Sequence, residues 1–200
     1  MKRAFDIVIA FFGLLLLSPV LLVVAFLIWR DSGHPIFFTQ ERIGRQFRPF
    51  FIYKFRTMVK DASQRGRAIT VGDDPRITRV GRLLRKTKID ELPQLLNVLK
   101  GEMSFVGPRP EVRHYVDLFR ADYEKILTIR PGITDLASLK YRDESTLLGQ
   151  SQNPEEEYLK RLLPEKIMLA KAYLEHSSFF FDLQLIFKTV LRLVRDKAVS

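Results

Sequence analysis

The chain has 200 residues, 46% of them hydrophobic, which allows one domain with a substantial core and argues against intrinsic disorder. The absence of cysteine excludes a disulfide framework and thiolate metal sites. A surplus of 33 basic over 23 acidic residues gives a net charge of +10, which implies an anionic partner. Nucleic acid, a phosphorylated substrate and an acidic lipid surface all meet that requirement.

A long apolar segment opens the sequence. Residues 5–29 carry a single charge, that of Asp6. As one helix they would extend about 37 Å, which exceeds the roughly 30 Å hydrocarbon core of a bilayer. A single transmembrane anchor is therefore one interpretation of this segment.

The dipeptide Ser18-Pro19 favours a different path for the same segment. Proline removes a backbone donor from a helix, and a serine hydroxyl can bond back to the preceding turn and encourage a bend. Broken there, the two halves would be about 21 and 16 Å long, each too short to cross. Lysine and arginine flank both ends, and such residues mark the cytoplasmic side. We expect residues 1–30 to form a re-entrant helix-break-helix and residues 31–200 a cytosolic, membrane-associated domain.

Residues 35–58 have the pattern of a β-hairpin, with two β-prone runs on either side of a connection that contains Gly44. In the second run Lys54 and Arg56 fall on one strand face, because side chains alternate along a strand. Two cations on one face suit a diphosphate, although a solvated strand face also explains them.

Residues 90–101 have the pattern of a helix. Asp90 and Glu91 open it, Pro93 lies in the first turn, leucines form an apolar stripe and Gly101 closes it. The positive end of a helix dipole favours carboxylates and also binds phosphate groups. The two acidic residues therefore either cap the helix or belong to a phosphate site.

Three arginines are further candidates for binding phosphate. Arg85 belongs to a short basic helical stretch ahead of Asp90, Arg109 lies between two prolines, and Arg130 precedes a Pro-Gly turn. A stiff backbone limits the directions in which a guanidinium points, which suits phosphate recognition. A Pro-x-Pro loop can also be purely structural.

The C-terminal segment from Phe179 to Arg195 combines a broad apolar face with three basic residues at helical spacing. This combination is typical of an interfacial helix on anionic lipid. A core helix with a basic exposed face fits the pattern equally well.

Five short motifs occur together and in order: KFRTM at 54–58, DDPRIT at 73–78, DELPQL at 90–95, VGPRP at 106–110 and RPGIT at 130–134. Any one of them is weak evidence, but the ordered set resembles the monotopic (small) phosphoglycosyl transferases, a bacterial sugar transferase family. The resemblance runs from Ser18-Pro19 to the C-terminal helix and therefore covers essentially the whole chain.

The resemblance implies a catalytic dyad at Asp90 and Glu91 and a requirement for Mg²⁺, with both carboxylates as candidate ligands. Asp90 would attack the phosphate that bears the sugar of a UDP-sugar, expel UMP and hold a covalent phosphosugar. A polyprenyl phosphate such as undecaprenyl phosphate would then collect the phosphosugar. Glu91 would orient the metal or Asp90. The candidate ligands of the substrate phosphates are Arg85, Arg109, Arg130, Lys54 and Arg56, while Asp73 and Asp74 are candidates for contacting metal or sugar.

The expected fold is α+β, mostly α, with the re-entrant helix, a compact catalytic domain containing the β-hairpin, and amphipathic interfacial helices. The expected location is the cytoplasmic face of the inner membrane. The expected partners are a UDP-sugar, a polyprenyl phosphate and membrane lipid, and a membrane-facing homodimer is compatible with the pattern. Nucleic acid is not expected, because the aromatic residues form no recognisable stacking motif.

Two non-catalytic alternatives use the same features. A membrane-anchored basic binding module explains the charge and both apolar segments, but not two carboxylates among arginines, which repel phosphate unless a metal intervenes. An idle scaffold for glycan assembly would be favoured by an altered dyad, and the dyad is intact. One departure stands at residues 135–138, Asp-Leu-Ala-Ser, where many relatives have glycine and then Leu-Ala-Gln. The resemblance therefore does not identify the sugar.

Overall fold

The computed structural model describes residues 1–62, 70–72, 74–141 and 144–198, and for residues 193, 194 and 196–198 it describes the backbone only. Helices dominate this part of the chain, and two small two-stranded sheets complete it. This confirms the predicted mostly helical α+β class. The helices are α1 (Lys2–Ser32), α2 (Arg79–Thr87), α3 (Gln94–Lys100), α4 (Arg113–Leu118), α5 (Arg120–Ile126), α6 (Leu136–Lys140), α7 (Glu144–Gly149), α8 (Pro154–Glu157), α9 (Leu163–His176) and α10 (Phe179–Ala198), and the strands are β1 (Phe37–Ile43), β2 (Pro49–Phe55), β3 (Ser104–Val106) and β4 (Gly132–Thr134).

Helix α1 runs without interruption from Lys2 to Ser32, with Pro19 inside it, so the expected break does not divide the helix. The physical reason lies in the turn before the proline. Pro19 has no N–H to offer the carbonyl of Leu15, and the Ser18 hydroxyl donates to that carbonyl instead, at 2.7 Å. The re-entrant path of this helix stays a prediction.

One side of α1 packs along the rest of the chain and the other side is exposed. Ala10 is buried with Leu95 and Val98 of α3, and Val24 and Ile28 are buried with Phe55 and Leu84. By length and composition α1 could cross a membrane. Its exposed apolar residues are Ile7, Val8, Ile9, Phe11, Phe12, Leu15, Leu16, Val20, Leu22, Val23, Phe26, Leu27 and Trp29.

Polar contacts tie both ends of α1 to the same body. At the N-terminal end the Lys2 ammonium lies 2.7 Å from the Asp182 carboxylate of α10. Arg3 donates to the carbonyl of Val98 at 2.7 Å. At the other end Arg56 donates to the carbonyl of Ser32 at 2.8 Å.

The predicted hairpin is confirmed as β1 and β2, which pair antiparallel from Phe37 opposite Phe55 to Ile43 opposite Pro49. The sequence did not indicate the second sheet, in which β3 and β4 pair in parallel. Gly107, directly after β3, and Gly132, the first residue of β4, allow the two segments to meet, because a Cβ on Gly132 would lie 2.1 Å from the Gly107 nitrogen. This close approach brings the loop after β3 against the start of β4.

The largest buried cluster lies between α4, α5 and α9. The helical part of the chain that completes this cluster consists of α8, a π-helical turn at Tyr158–Leu162, and α9. Pro164, which lacks an N–H, lies two residues beyond this turn and interrupts the hydrogen-bond ladder there.

Helix α10 combines both interpretations of the C-terminal segment. Leu185 is buried against β3 and its surroundings, as in a core helix. Phe180, Phe187, Val190 and Leu191 are nevertheless exposed, beside exposed basic residues. Phe179 packs edge-on against Phe5 of α1, so the exposed apolar surfaces of the two helices adjoin.

Candidate active site

Asp90 and Glu91 lie in a 3₁₀ turn, Ile89–Glu91, between α2 and α3. The sequence placed them in the first turn of α3, but that helix begins only at Gln94, with Pro93 as its N-cap. Lys88 ends α2 in the left-handed conformation and redirects the chain. The two carboxylates therefore occupy a tight connection between two helices rather than the end of one.

Asp90 is the least solvated carboxylate of this turn. Its side chain is buried, and its Oδ1 atom has no hydrogen-bond partner among the described residues. Burial, together with the negative charge of Glu91, raises the pKa of Asp90. The nearby cations Lys54, Lys88 and Arg85 oppose this effect without outweighing it.

Glu91 is fully engaged by two cations. Lys54 donates to Oε1 at 2.8 Å, and the Arg109 guanidinium contacts both carboxylate oxygens, at 2.5 and 3.3 Å. Burial alone would raise the pKa of Glu91, but Arg109 and Lys54 outweigh it and hold the pKa well below its usual range. Glu91 is therefore a fixed anion that joins β2 to the loop after β3.

Arg85 reaches the same place from α2. Its Nε donates to the Thr57 hydroxyl at 2.8 Å, which fixes the direction of the guanidinium. Burial lowers the pKa of Arg85, and the negative charge of Asp90 is the strongest effect opposing it. The structure thus gathers Lys54, Arg85 and Arg109 around the dyad from three separate elements.

Arg56 points elsewhere. Its Nη2 donates to the carbonyls of Ser32 and Gly33 and to the Ser32 hydroxyl, at 2.6 to 2.8 Å. Although it follows Lys54 by only two residues, it binds the C-terminal end of α1. The predicted shared diphosphate contact of Lys54 and Arg56 has no geometric support here.

Arg130 lies at the far end of α3 from the dyad. Its Nε donates to the carbonyl of Gly101 at 2.8 Å, next to the carbonyls that Arg3 binds. Two arginines at the negative end of a helix stabilise that end. The structure therefore places Arg130 with the N-terminal end of α1 rather than with Asp90.

Of the two acidic residues in the 73–78 motif, the structure describes one. Asp74 is buried and pairs with Arg76, at 2.6 Å between the closest atoms. Asp73 lies outside the described residues. A contact of Asp74 with metal or sugar would have to compete with Arg76.

The dyad partly fits a magnesium ion. Asp90 offers a buried carboxylate oxygen without a partner, which is the hard ligand that Mg²⁺ prefers. Glu91 fits less well, since Lys54 and Arg109 occupy both of its oxygens. No group of three acidic or histidine side chains converges within the described ranges. Magnesium commonly binds through one or two carboxylates and substrate phosphates, so such a group is not required.

Sequence reasoning missed three residues that hold the site. Thr57 accepts from Arg85, Asp135 accepts from the backbone N–H of Arg109, and buried Glu111 accepts from Tyr158 in the π-helical turn. Thr57 and Glu111 adjoin the basic motif residues, but nothing in the pattern distinguishes their partners. Asp135 stood out only as a departure from the family pattern.

Comparison with known proteins identifies the family. The family model described as bacterial sugar transferase matches residues 1–196. The chain is 40% identical over 206 residues to the exopolysaccharide production protein PSS of Rhizobium leguminosarum bv. phaseoli, covering 98% of this chain and 97% of that protein. It is 35% identical over 200 residues to the uncharacterized sugar transferase EpsL of Bacillus subtilis, covering 100% of this chain and 90% of that one.

Two longer relatives carry names that state an activity. The UDP-N-acetylgalactosamine-undecaprenyl-phosphate N-acetylgalactosaminephosphotransferase of Aeromonas hydrophila is 38% identical over 192 residues, which are 94% of this chain and 42% of that protein. The UDP-glucose:undecaprenyl-phosphate glucose-1-phosphate transferase of Escherichia coli is 36% identical over 202 residues, 99% of this chain and 41% of that protein. This chain therefore spans less than half the length of each of these two relatives. The match to the family model over nearly its whole length shows that the chain belongs to the bacterial sugar transferase family.

Proposed function

We propose that the chain transfers a sugar 1-phosphate from a UDP-sugar to undecaprenyl phosphate and releases UMP, as the first membrane step of lipid-linked polysaccharide synthesis. The observation that carries the proposal is the buried Asp90 oxygen, which has no hydrogen-bond partner among the described residues and lies near Lys54 and Arg85, beside the Glu91–Arg109 pair. The names of the Aeromonas and Escherichia coli relatives supply the class of donor and acceptor.

The proposed reaction has two displacements at one phosphorus. A carboxylate oxygen of Asp90 attacks the phosphorus that bears the sugar, and the phosphoanhydride bond breaks with its electron pair leaving on UMP. An oxygen of undecaprenyl phosphate then attacks the same phosphorus, and the Asp90 carboxylate leaves. A carboxylate nucleophile allows the two substrates to bind in turn, so a small site suffices for both.

The surrounding residues supply positive charge without accepting protons. Phosphoryl transfer depends mainly on positioning and electrostatic stabilisation. Glu91 holds Lys54 and Arg109 in place, and Thr57 holds Arg85. Bound Mg²⁺, with Asp90 and the substrate phosphates as its ligands, would neutralise further charge on the diphosphate.

The position of the dyad next to α1 supports a membrane-bound acceptor. Ile89, the neighbour of Asp90, packs against the cluster formed by Val24 and Ile28 of α1. The opposite side of α1 is apolar and exposed. An acceptor whose prenyl chain remains in the lipid would thus present its phosphate close to Asp90.

The same contacts support a re-entrant path at the cytoplasmic face of the inner membrane. A perpendicular helix would place its two ends on opposite sides of roughly 30 Å of hydrocarbon. Lys2 and Ser32, however, both contact the one body that carries the dyad. The adjoining apolar and basic surface of α10 extends the membrane-facing side of the protein.

The direct test is UMP release from a panel of UDP-sugars by the purified chain with Mg²⁺ and undecaprenyl phosphate. Activity should disappear in Asp90→Ala and Asp90→Asn, and survive in Asp117→Asn, a control on an exposed aspartate of α4. Without acceptor, UMP release should stop at about one equivalent per chain, because the phosphosugar stays on Asp90. Full activity without Asp90 would rule out the covalent mechanism, and silence across the panel from folded protein would count against the activity itself.

A further inference from the structure

The carboxylate of Asp135 has two backbone partners in different elements. It is buried, at 5% exposed. Its Oδ1 accepts from the N–H of Ser138 at 2.6 Å, and its Oδ2 accepts from the N–H of Arg109 at 3.1 Å. The first contact is the N-cap of α6. The second is not required by any helix, so capping alone does not explain the residue.

The residue type matters for this double contact. Serine, threonine and asparagine cap helices about as well as aspartate, but each offers only one side-chain oxygen to accept an N–H. Aspartate offers two. A residue chosen only to cap α6 need not be aspartate, whereas a residue that joins α6 to Arg109 must accept twice.

The loop that Asp135 binds has a single backbone donor. Pro108 and Pro110 have no N–H, so Arg109 carries the only one in the triplet. The Arg109 guanidinium contacts both oxygens of Glu91. Asp135 thus holds the backbone of Arg109, and the side chain of Arg109 in turn holds Glu91.

We propose that Asp135 is a positioning residue for the transfer reaction, which holds Arg109 in register with Glu91 through the Arg109 backbone N–H. The inference deepens the proposed function and rests on it for its kinetic consequence. Its structural part concerns one hydrogen bond and can be tested without any activity. Both of its hydrogen-bond partners are backbone amides, and its negative charge also helps to raise the pKa of the Arg109 guanidinium.

The discriminating variant is Asp135→Asn. Asparagine keeps the cap of α6 through its remaining oxygen, but its amide group cannot accept from Arg109. We expect kcat/KM for the UDP-sugar to fall about tenfold, and the melting temperature to fall by about 2–4 °C because the Arg109 N–H loses its acceptor. Unchanged kcat/KM in Asp135→Asn would overturn the proposal.

A second arm asks whether the effect passes through the Arg109 side chain. Arg109→Lys keeps the charge and loses the two-pronged contact with Glu91. In that background Asp135→Asn should lower kcat/KM by less than about threefold, because the Arg109–Glu91 geometry that Asp135 maintains is already lost. An equal tenfold loss in both backgrounds would mean that Asp135 acts independently of Arg109, and the proposal would fail.

The third arm is hydrogen exchange at the Arg109 amide, which needs no substrate. In the original chain this amide should be protected, and Asp135→Asn should speed its exchange about tenfold or more while leaving the β1–β2 amides unchanged. An Arg109 amide with the same rate in both chains would contradict the inference. Absence of UMP release from the original chain, by contrast, would overturn the proposed function. The exchange rate of the Arg109 amide would then still decide whether Asp135 holds the backbone of Arg109.

Discussion

Lys54 and Arg56 show how far two neighbouring cations can differ in role. Lys54 reaches Glu91 at 2.8 Å, inside the cluster around Asp90. Arg56 is 5% exposed and binds the last carbonyls of α1. One contributes charge to the site, and the other attaches the apolar helix to the domain.

Replacing each cation should therefore change a different property. Arg56→Ala removes charge-assisted hydrogen bonds to α1 and should cost about 2 kcal/mol, or roughly 4–8 °C in melting temperature. Lys54→Ala should lower kcat at least tenfold with a smaller thermal effect. Thermal unfolding and UMP release, measured on both variants, check the pair. A loss of donor affinity in Arg56→Ala at unchanged melting temperature would reverse our assignment.

The ionised carboxylate of Asp90 should lower the stability of the folded chain at neutral pH. Burial raises its pKa, so the folded chain holds this proton more tightly than the unfolded chain does. Stability is then lost as pH rises from the ordinary aspartate range through the raised pKa. Asp90→Asn avoids this loss and should melt higher than the original chain at pH 7, with the gap closing toward pH 3. A variant that melts lower at pH 7 would show that the ionised carboxylate is compensated by its cations.

At the scale of elements, α1 continues past Pro19 because a side-chain donor replaces the backbone donor that the proline lacks. The Ser18 hydroxyl donates to the carbonyl of Leu15, which Pro19 leaves without an amide donor. Ser18→Ala should cost about 1 kcal/mol, because that carbonyl would then face an apolar surrounding. In a Pro19→Ala background the backbone N–H returns, and the same change should cost almost nothing. Equal costs in both backgrounds, by thermal unfolding in lipid nanodiscs, would contradict this account.

The sequence predicted elements well where one periodic face decides the structure. The hairpin and the long helices follow from such patterns, and all are present. It failed at Asp90, where the acid-proline-leucine pattern indicated a helix start and a 3₁₀ turn occurs instead. Lys88 adopts a positive φ there, and packing on α1 rather than local preference sets that turn.

The sequence predicted which residues form the candidate site, but only part of their arrangement in space. The motifs supplied Asp90, Glu91, Lys54 and Arg109, the basic stretch before the dyad supplied Arg85, and the structure gathers all five. Arg130 shared the same motif-level signal and lies at the other end of α3. The position of Arg130 relative to α3 depends on the pairing of β3 with β4. No pattern in the sequence predicted that pairing, so the spacing of the motifs did not show which end of α3 Arg130 reaches.

At the scale of the whole molecule, both ends of α1 should be accessible from one side of the membrane. The chain contains no cysteine, so single cysteines at exposed Ala4 and Arg30 would be unique reporters. In sealed vesicles an impermeant thiol reagent should label both positions from the side that carries the dyad. Labelling of the two positions from opposite sides would establish a spanning helix and exclude the re-entrant path.

The packing of α1 also sets how the chain can be handled and redesigned. Its inner residues Ala10, Val24 and Ile28 are buried against α3, β2 and α2, so α1 supplies part of the core. A shortened protein that begins after α1 would expose that core and precipitate from water. Polar residues placed only at outward positions such as Phe11 and Leu16 offer the opposite route: a form of the chain that stays in solution without detergent and keeps its original interior.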